Sequence, residues 1–122
     1  MGFSLLWVEE DIESVSDDIS FQVARNLEDA LESKESEVKW CKNMSQLSKR
    51  FQSVFNLEGL TVAEVRFSAM SAEYRALCVV IPDEEVVVYY DTVPKKGSFQ
   101  KRRLKVMREN ADEIKEAIRK SI

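Results

Sequence analysis

The sequence predicts an α+β fold: a small antiparallel sheet of about four strands, two N-terminal helices packed on it, and a long C-terminal helix. Three observations carry that expectation. Residues 59–96 hold three consecutive segments of strand character. Two segments before them and one after repeat apolar residues at helical spacing. No linker, internal repeat or low-complexity run divides the 122 residues, so residues 1–122 read as one domain with room for one modest core.

Residues 3–8, FSLLWV, form a short apolar edge strand, followed by the acidic connection EEDIESVSDD. From about Asp17 to Ser36, Ile19, Val23, Leu27, Ala30 and Leu31 fall on one helical face. Asp17 and Asp18 suit the positive N-terminal end of that helix. The run SKESEVK then reads as a loop. Asn43 with Gln46 three residues on resembles a capping box. It opens a second helix bearing Met44, Leu47, Phe51, Val54 and Phe55, closed by Asn56 and Gly59.

The three strands follow. Val62–Ala69 alternates, with Ala63, Val65, Phe67 and Ala69 on one face and Glu64, Arg66 and Ser68 on the other. Tyr74–Ile81 is apolar on both faces apart from Arg75 and reads as a central strand. Glu85–Val93 is rich in Val and Tyr. Pro82-Asp83-Glu84 makes the turn between the last two, and such short connections force antiparallel pairing. Ser98 is the expected N-cap of the last helix, which runs from about Phe99 to Ser121. Along it Leu104, Met107, Ala111, Ile114 and Ile118 form a seam, packed either on the chain's own sheet or against a partner helix. If the early helices cover one face of the sheet, the other is left as a working surface.

Composition excludes several classes of function. The chain has no histidine, so a Ser-His-Asp triad, a Cys-His pair and a His-ligated metal are ruled out. Three glycines and no phosphate-loop pattern argue against a nucleotide cradle. No metal and no cofactor is expected. Cys78 reads as a small buried hydrophobe, and Cys41 has no assigned role. No apolar run approaches the roughly 20 residues that span a bilayer. The start lacks the basic flank of a signal peptide, and Leu6 stands where a myristoylation signal needs Ser or Thr, so a cytoplasmic location without membrane contact is expected.

Charge is uneven. Residues 1–58 carry six Lys and Arg against twelve Asp and Glu, a net −6, whereas residues 59–108 carry nine against six, a net +3. An anionic partner is therefore expected at the second half. Arg66 lies on the polar face of its strand, and Arg75 interrupts an apolar one. Lys95 and Lys96 close the third strand, and Lys101, Arg102 and Arg103 follow on the helix. Tyr74, Tyr89 and Tyr90 interleave with these cations. Charge for phosphate and rings for bases are what a single-stranded RNA surface needs. The bland alternative pairs Arg66 with Glu64 or Glu73 and leaves the tyrosines as core edges.

The stretch GLTVAEVRFSAMSAEYRALCVVIPDEEVVVYYDTVPKK resembles the RelE/ParE superfamily of toxin–antitoxin toxins, most closely its HigB-like branch. The matching residues are Glu64 with Arg66, Tyr74-Arg75, and Lys95-Lys96. The resemblance implies a β-α-α-β-β-β-α order over essentially the whole chain. It implies a ribosome-dependent mRNA endonuclease that uses the RNA 2′-hydroxyl without metal and is held inactive by an antitoxin. Arg75 would clamp the phosphate, Arg66 would assist, and Lys95 or Lys96 would neutralise charge or act as base. Tyr90 would stack on a base or donate a proton. Lys101, Arg102 and Arg103 would extend the RNA contact. The chain departs from that pattern in its pI of about 5.0 and in lacking a C-terminal Tyr or His. Two alternatives follow. One is a non-catalytic binding module on the same scaffold, either an inhibitor of a topoisomerase as in the ParE branch or a holder of some other partner. The other is a homodimer through the C-terminal helix. The nuclease reading requires Arg66, Arg75 and Lys95 to converge on one exposed face, free of internal ion pairs.

Overall fold

The computed structural model describes residues 2–7 and 21–122. Val8, the acidic connection and the start of the first helix, including Asp17, Asp18 and Ile19, lie outside the described residues. The class is α+β, but the sheet has five strands rather than about four, and it is mixed. Strand β1 spans Ser4–Leu6, β2 Ser53–Leu57, β3 Leu60–Ala69, β4 Ala72–Ile81 and β5 Val86–Pro94. Their order is β1-β5-β4-β3-β2. β1 is an edge strand, as expected, but it runs parallel to β5, while the other pairs are antiparallel. Helices α1 (Phe21–Val38) and α2 (Met44–Ser48) precede the β2–β5 meander, and α3 (Gly97–Glu109) and α4 (Ala111–Ser121) follow it.

Helix α1 buries Val23, Ala24, Leu27, Leu31 and Val38 and takes in all but the last residue of the SKESEVK run expected to be a loop. Asn43 caps α2, its Oδ1 accepting from the Gln46 backbone N–H at 2.9 Å. The Gln46 side chain returns the contact one residue early, accepting from the Lys42 N–H at 2.7 Å. Here the expected second helix is too long. It stops at Ser48, and Ser53–Leu57 forms β2 instead. Val54 packs into the core under α1 while Phe55 packs into the opposite core, which is the two-residue period of a strand.

Two tight hairpins set the meander. Glu58 and Gly59 have φ of 50° and 89° between the paired residues Leu57 and Leu60. Met70 and Ser71 have φ of 52° and 64° between Ala69 and Ala72. Positive φ at both central residues is the hairpin turn whose twist matches the flanking strands. Pro82–Glu84 forms a single 3-10 turn, closed by Glu85 in the left-handed region at φ 53°.

Both faces of the sheet are covered, which corrects the expectation of a free working face. One core lies under α1 and α2 and includes Leu27, Leu31, Leu47, Val65, Phe67, Cys78 and Tyr89. The other joins Val62, Leu77, Val79 and Ile81 to Met107, Ala111 and Ile118, with Leu104 and Ile114 packed against it. The C-terminal seam is thus used on the chain's own sheet, where each fully buried side chain of this size contributes about 1.5–3 kcal/mol. The last helix is also not continuous. Asn110 breaks it, donating from its side-chain Nδ2 to the Val106 carbonyl at 2.8 Å. Ser98 does not cap α3. The N-cap is Lys96, without a side-chain hydrogen bond. At the far end Arg119 makes two 3.1 Å hydrogen bonds to Asp83, tying α4 to the β4–β5 turn.

Candidate functional site

The sheet's alternation decides which candidates meet. Arg66 and Arg75 are direct cross-strand partners, so they share a face, the one covered by α3 and α4. Glu64 and Glu73, two residues before each arginine, share it too. Lys95 joins them as β5 ends: its backbone N–H donates to the Glu73 carbonyl at 2.9 Å. Three of the candidate cations therefore converge. Like charges directly across a ladder repel. Glu73 relieves this pair: its Oε1 accepts from Arg66 Nε at 3.0 Å and also from Arg66 Nη2, and its Oε2 lies 3.0 Å from Lys95 Nζ. The Arg66 hydrogen bonds, and then that of Lys95, lower the Glu73 pKa from 4.5 to about 2.

Arg75 differs from its neighbours. It is 8% exposed, and its Nε and Nη1 are buried without a hydrogen-bond partner among the described residues. Glu64, also buried, is taken by α3, where Gln100 Nε2 donates to its Oε1 at 2.7 Å. The cluster of Arg66, Arg75 and Lys95 against Glu64 and Glu73 keeps one formal positive charge in excess. An orphaned buried guanidinium is costly unless an acceptor reaches it.

The other candidates scatter. Tyr90 is half-buried against the same core, at the irregularity where β4 pairs Cys78 with Tyr89 but Leu77 with Asp91. Burial, then the Asp91 charge, raises its pKa, so it stays protonated at neutral pH. Tyr74 stacks on Phe67 at 5.5 Å on the α1 side, and Tyr89 is buried there with its hydroxyl 2.7 Å from Thr92 Oγ1. Of the three interleaving tyrosines only Tyr90 shares the cation face. Arg103 pairs with Asp91 at 2.8 Å, while Lys101 and Arg102 are exposed on α3. Lys96 is exposed and has no ion pair among the described residues.

Glu73 was legible only as one of two partners for Arg66, and its grip on Lys95 was not foreseen. Gln100 and Asp91 were missed altogether, because their contacts depend on how α3 crosses the sheet. Cys78 is buried as expected, and burial pushes its thiol up to about 12. Cys41 is buried too. Among the described residues no group of three acidic or thiol side chains could hold a metal ion, and no helix is long and apolar enough to cross a membrane. A cleft of about 540 Å³ at the α3–α4 joint is lined by Glu58, Glu109, Asp112 and Glu113 with Arg108, a balance that repels phosphate. Comparison of the chain with protein-family models, curated proteins and solved structures finds no match.

Proposed function

We propose that this chain is a non-catalytic binding module, and that it takes an anionic group of its partner at Arg75. The observation that carries this reading is the pair of unpaired donors on a guanidinium beneath α3. Arg66 and Lys95 are already engaged by Glu73, and a carboxylate held near pKa 2 is a weak base for abstracting a hydroxyl proton. The cluster is thus better furnished to hold an anion than to move protons.

A second reading, the metal-free mRNA endonuclease of a toxin–antitoxin pair acting on the ribosome, keeps one observation in its favour, although the pairing of Arg66 and Lys95 with Glu73 and the burial of Arg75 break its requirement for exposed, free cations. Arg66, Arg75, Lys95 and Tyr90 share a single face, as phosphate clamping and charge neutralisation would need. It would require the Glu73 bridge to open and α3 to yield. In both readings the protein works in the cytoplasm with a protein partner, the antitoxin in the second.

In vitro translation with and without the protein, reading mRNA ends, separates the two. The binding reading expects no new ends. A thermal shift with an acidic peptide as the partner fragment should vanish in Arg75→Met. New mRNA ends that disappear in Arg75→Ala would install the endonuclease in its place.

A further inference from the structure

We infer a second anion site, on the opposite side of the sheet, that stacks a base of single-stranded nucleic acid on Trp40. The chain between Lys39 and Arg50 carries Lys39, Lys42, Lys49 and Arg50 and no carboxylate, although it lies within the acidic half. None of these four cations has an ion pair among the described residues. An anion held here would meet the first half of the chain, outside the half in which one is expected.

The local fold explains the arrangement. Cys41 and Leu47 are anchored in the α1-side core, so the turn between α1 and α2 must pass Trp40 outward. Its indole is 74% exposed, with Lys39 Nζ 5.5 Å from the ring centroid. Trp40, Gln46, Lys49 and Arg50 line an open cleft of about 410 Å³. Gln46 spends its Oε1 on the Lys42 N–H, which leaves its Nε2 as the donor this lining residue can offer.

A planar wall, an amide donor and unpaired cations at the rim fit one base with its flanking phosphates. A duplex hides its base faces, so the strand must be single. A lipid surface is less suited. Membrane-surface helices present an apolar face, whereas Leu47 of α2 is buried and Met44 packs on the core.

The test uses the full chain with a short labelled single-stranded RNA, the same sequence as DNA, and its duplex. Single strands should quench tryptophan emission and raise anisotropy, and the duplex should compete poorly. Trp40→Ala should weaken binding on the order of tenfold or more. Lys49→Gln with Arg50→Gln should flatten the salt dependence of log K by roughly 1.4, at about 0.7 per phosphate contact. Arg75→Met should change neither, which separates this site from the α3-side cluster. The inference is overturned if Trp40→Ala binds like the parent with unchanged circular dichroism, or if the duplex competes equally. It is overturned too if only phosphatidylserine vesicles shift the emission.

Discussion

Arg66 on β3 and Glu73 on β4 sit diagonally across one hairpin and are joined through two guanidinium nitrogens. With Lys95 on its other oxygen, the Glu73 carboxylate occupies the space between two cations where an incoming phosphate would otherwise sit. Glu73→Gln should therefore raise affinity for a short polyphosphate by roughly threefold to tenfold. The measurement belongs in a Trp40→Ala background, so that the α1-side cleft does not contribute. Unchanged or weaker binding would mean that Arg66 and Lys95 serve only the fold.

The same bridge predicts an acid limb. In the native state Glu73 takes its proton near pH 2, whereas in the unfolded chain it does so near 4.5. Between those values the unfolded chain binds more protons, so falling pH favours unfolding. The contribution is complete above about pH 4.5 and lost as pH drops through about 2. Denaturant midpoints measured from pH 6 to pH 2 should fall less steeply in Glu73→Gln than in the parent, and parallel curves would contradict the pairing.

How much of this could be read beforehand differs from residue to residue. The alternation of Ala63, Val65, Phe67 and Ala69 placed Arg66 on the opposite face, because the two-residue period of a strand leaves no other assignment. Parity along β4 also implies that Tyr74 faces away from Arg75 and that Glu73 faces with it, a signal that composition alone does not carry. Phe51, Val54 and Phe55 suited a helical face as well as a strand, and only pairing with β3 decides for the strand. The closure of α3 over Glu64 joins residues 36 apart through Gln100 and has no local signature. The break at Asn110 has one, since Asn competes with the helical backbone, but the regular seam spacing masked it.

Gln100→Ala should show whether that closure matters to the fold. Glu64 is 6% exposed and would lose its side-chain donor. The expected cost is about 1–3 kcal/mol in urea unfolding. Gln100→Glu should cost more, by setting two carboxylates together. No loss in either variant would mean that α3 lifts readily from β3.

Arg75→Met keeps much of the side chain's volume and removes two unsatisfied buried donors. In the ligand-free protein it should stabilise by about 1–2 kcal/mol, seen as a rise in Tm of about 3–8 °C. The same variant should lose the stabilisation that an anionic partner confers on the parent. A fall in Tm without ligand would show that Arg75 works inside the fold rather than toward a partner.

Ile118 tests the use of the C-terminal seam on the chain's own sheet. It is 8% exposed and belongs to the core formed with Leu77, Val79 and Ile81. If the seam holds α4 to its own sheet, Ile118→Ala opens a cavity inside the chain. The cost should be about 2–5 kcal/mol, and light scattering at two protein concentrations should return the parent's mass. If the seam instead joins two copies, the variant should lower the mass at the dilute concentration and leave the Tm of the separated chain nearly untouched. Met107, fully buried in the same core one helix earlier, gives an independent check, since Met107→Ala should behave like Ile118→Ala only where both side chains serve the same internal face.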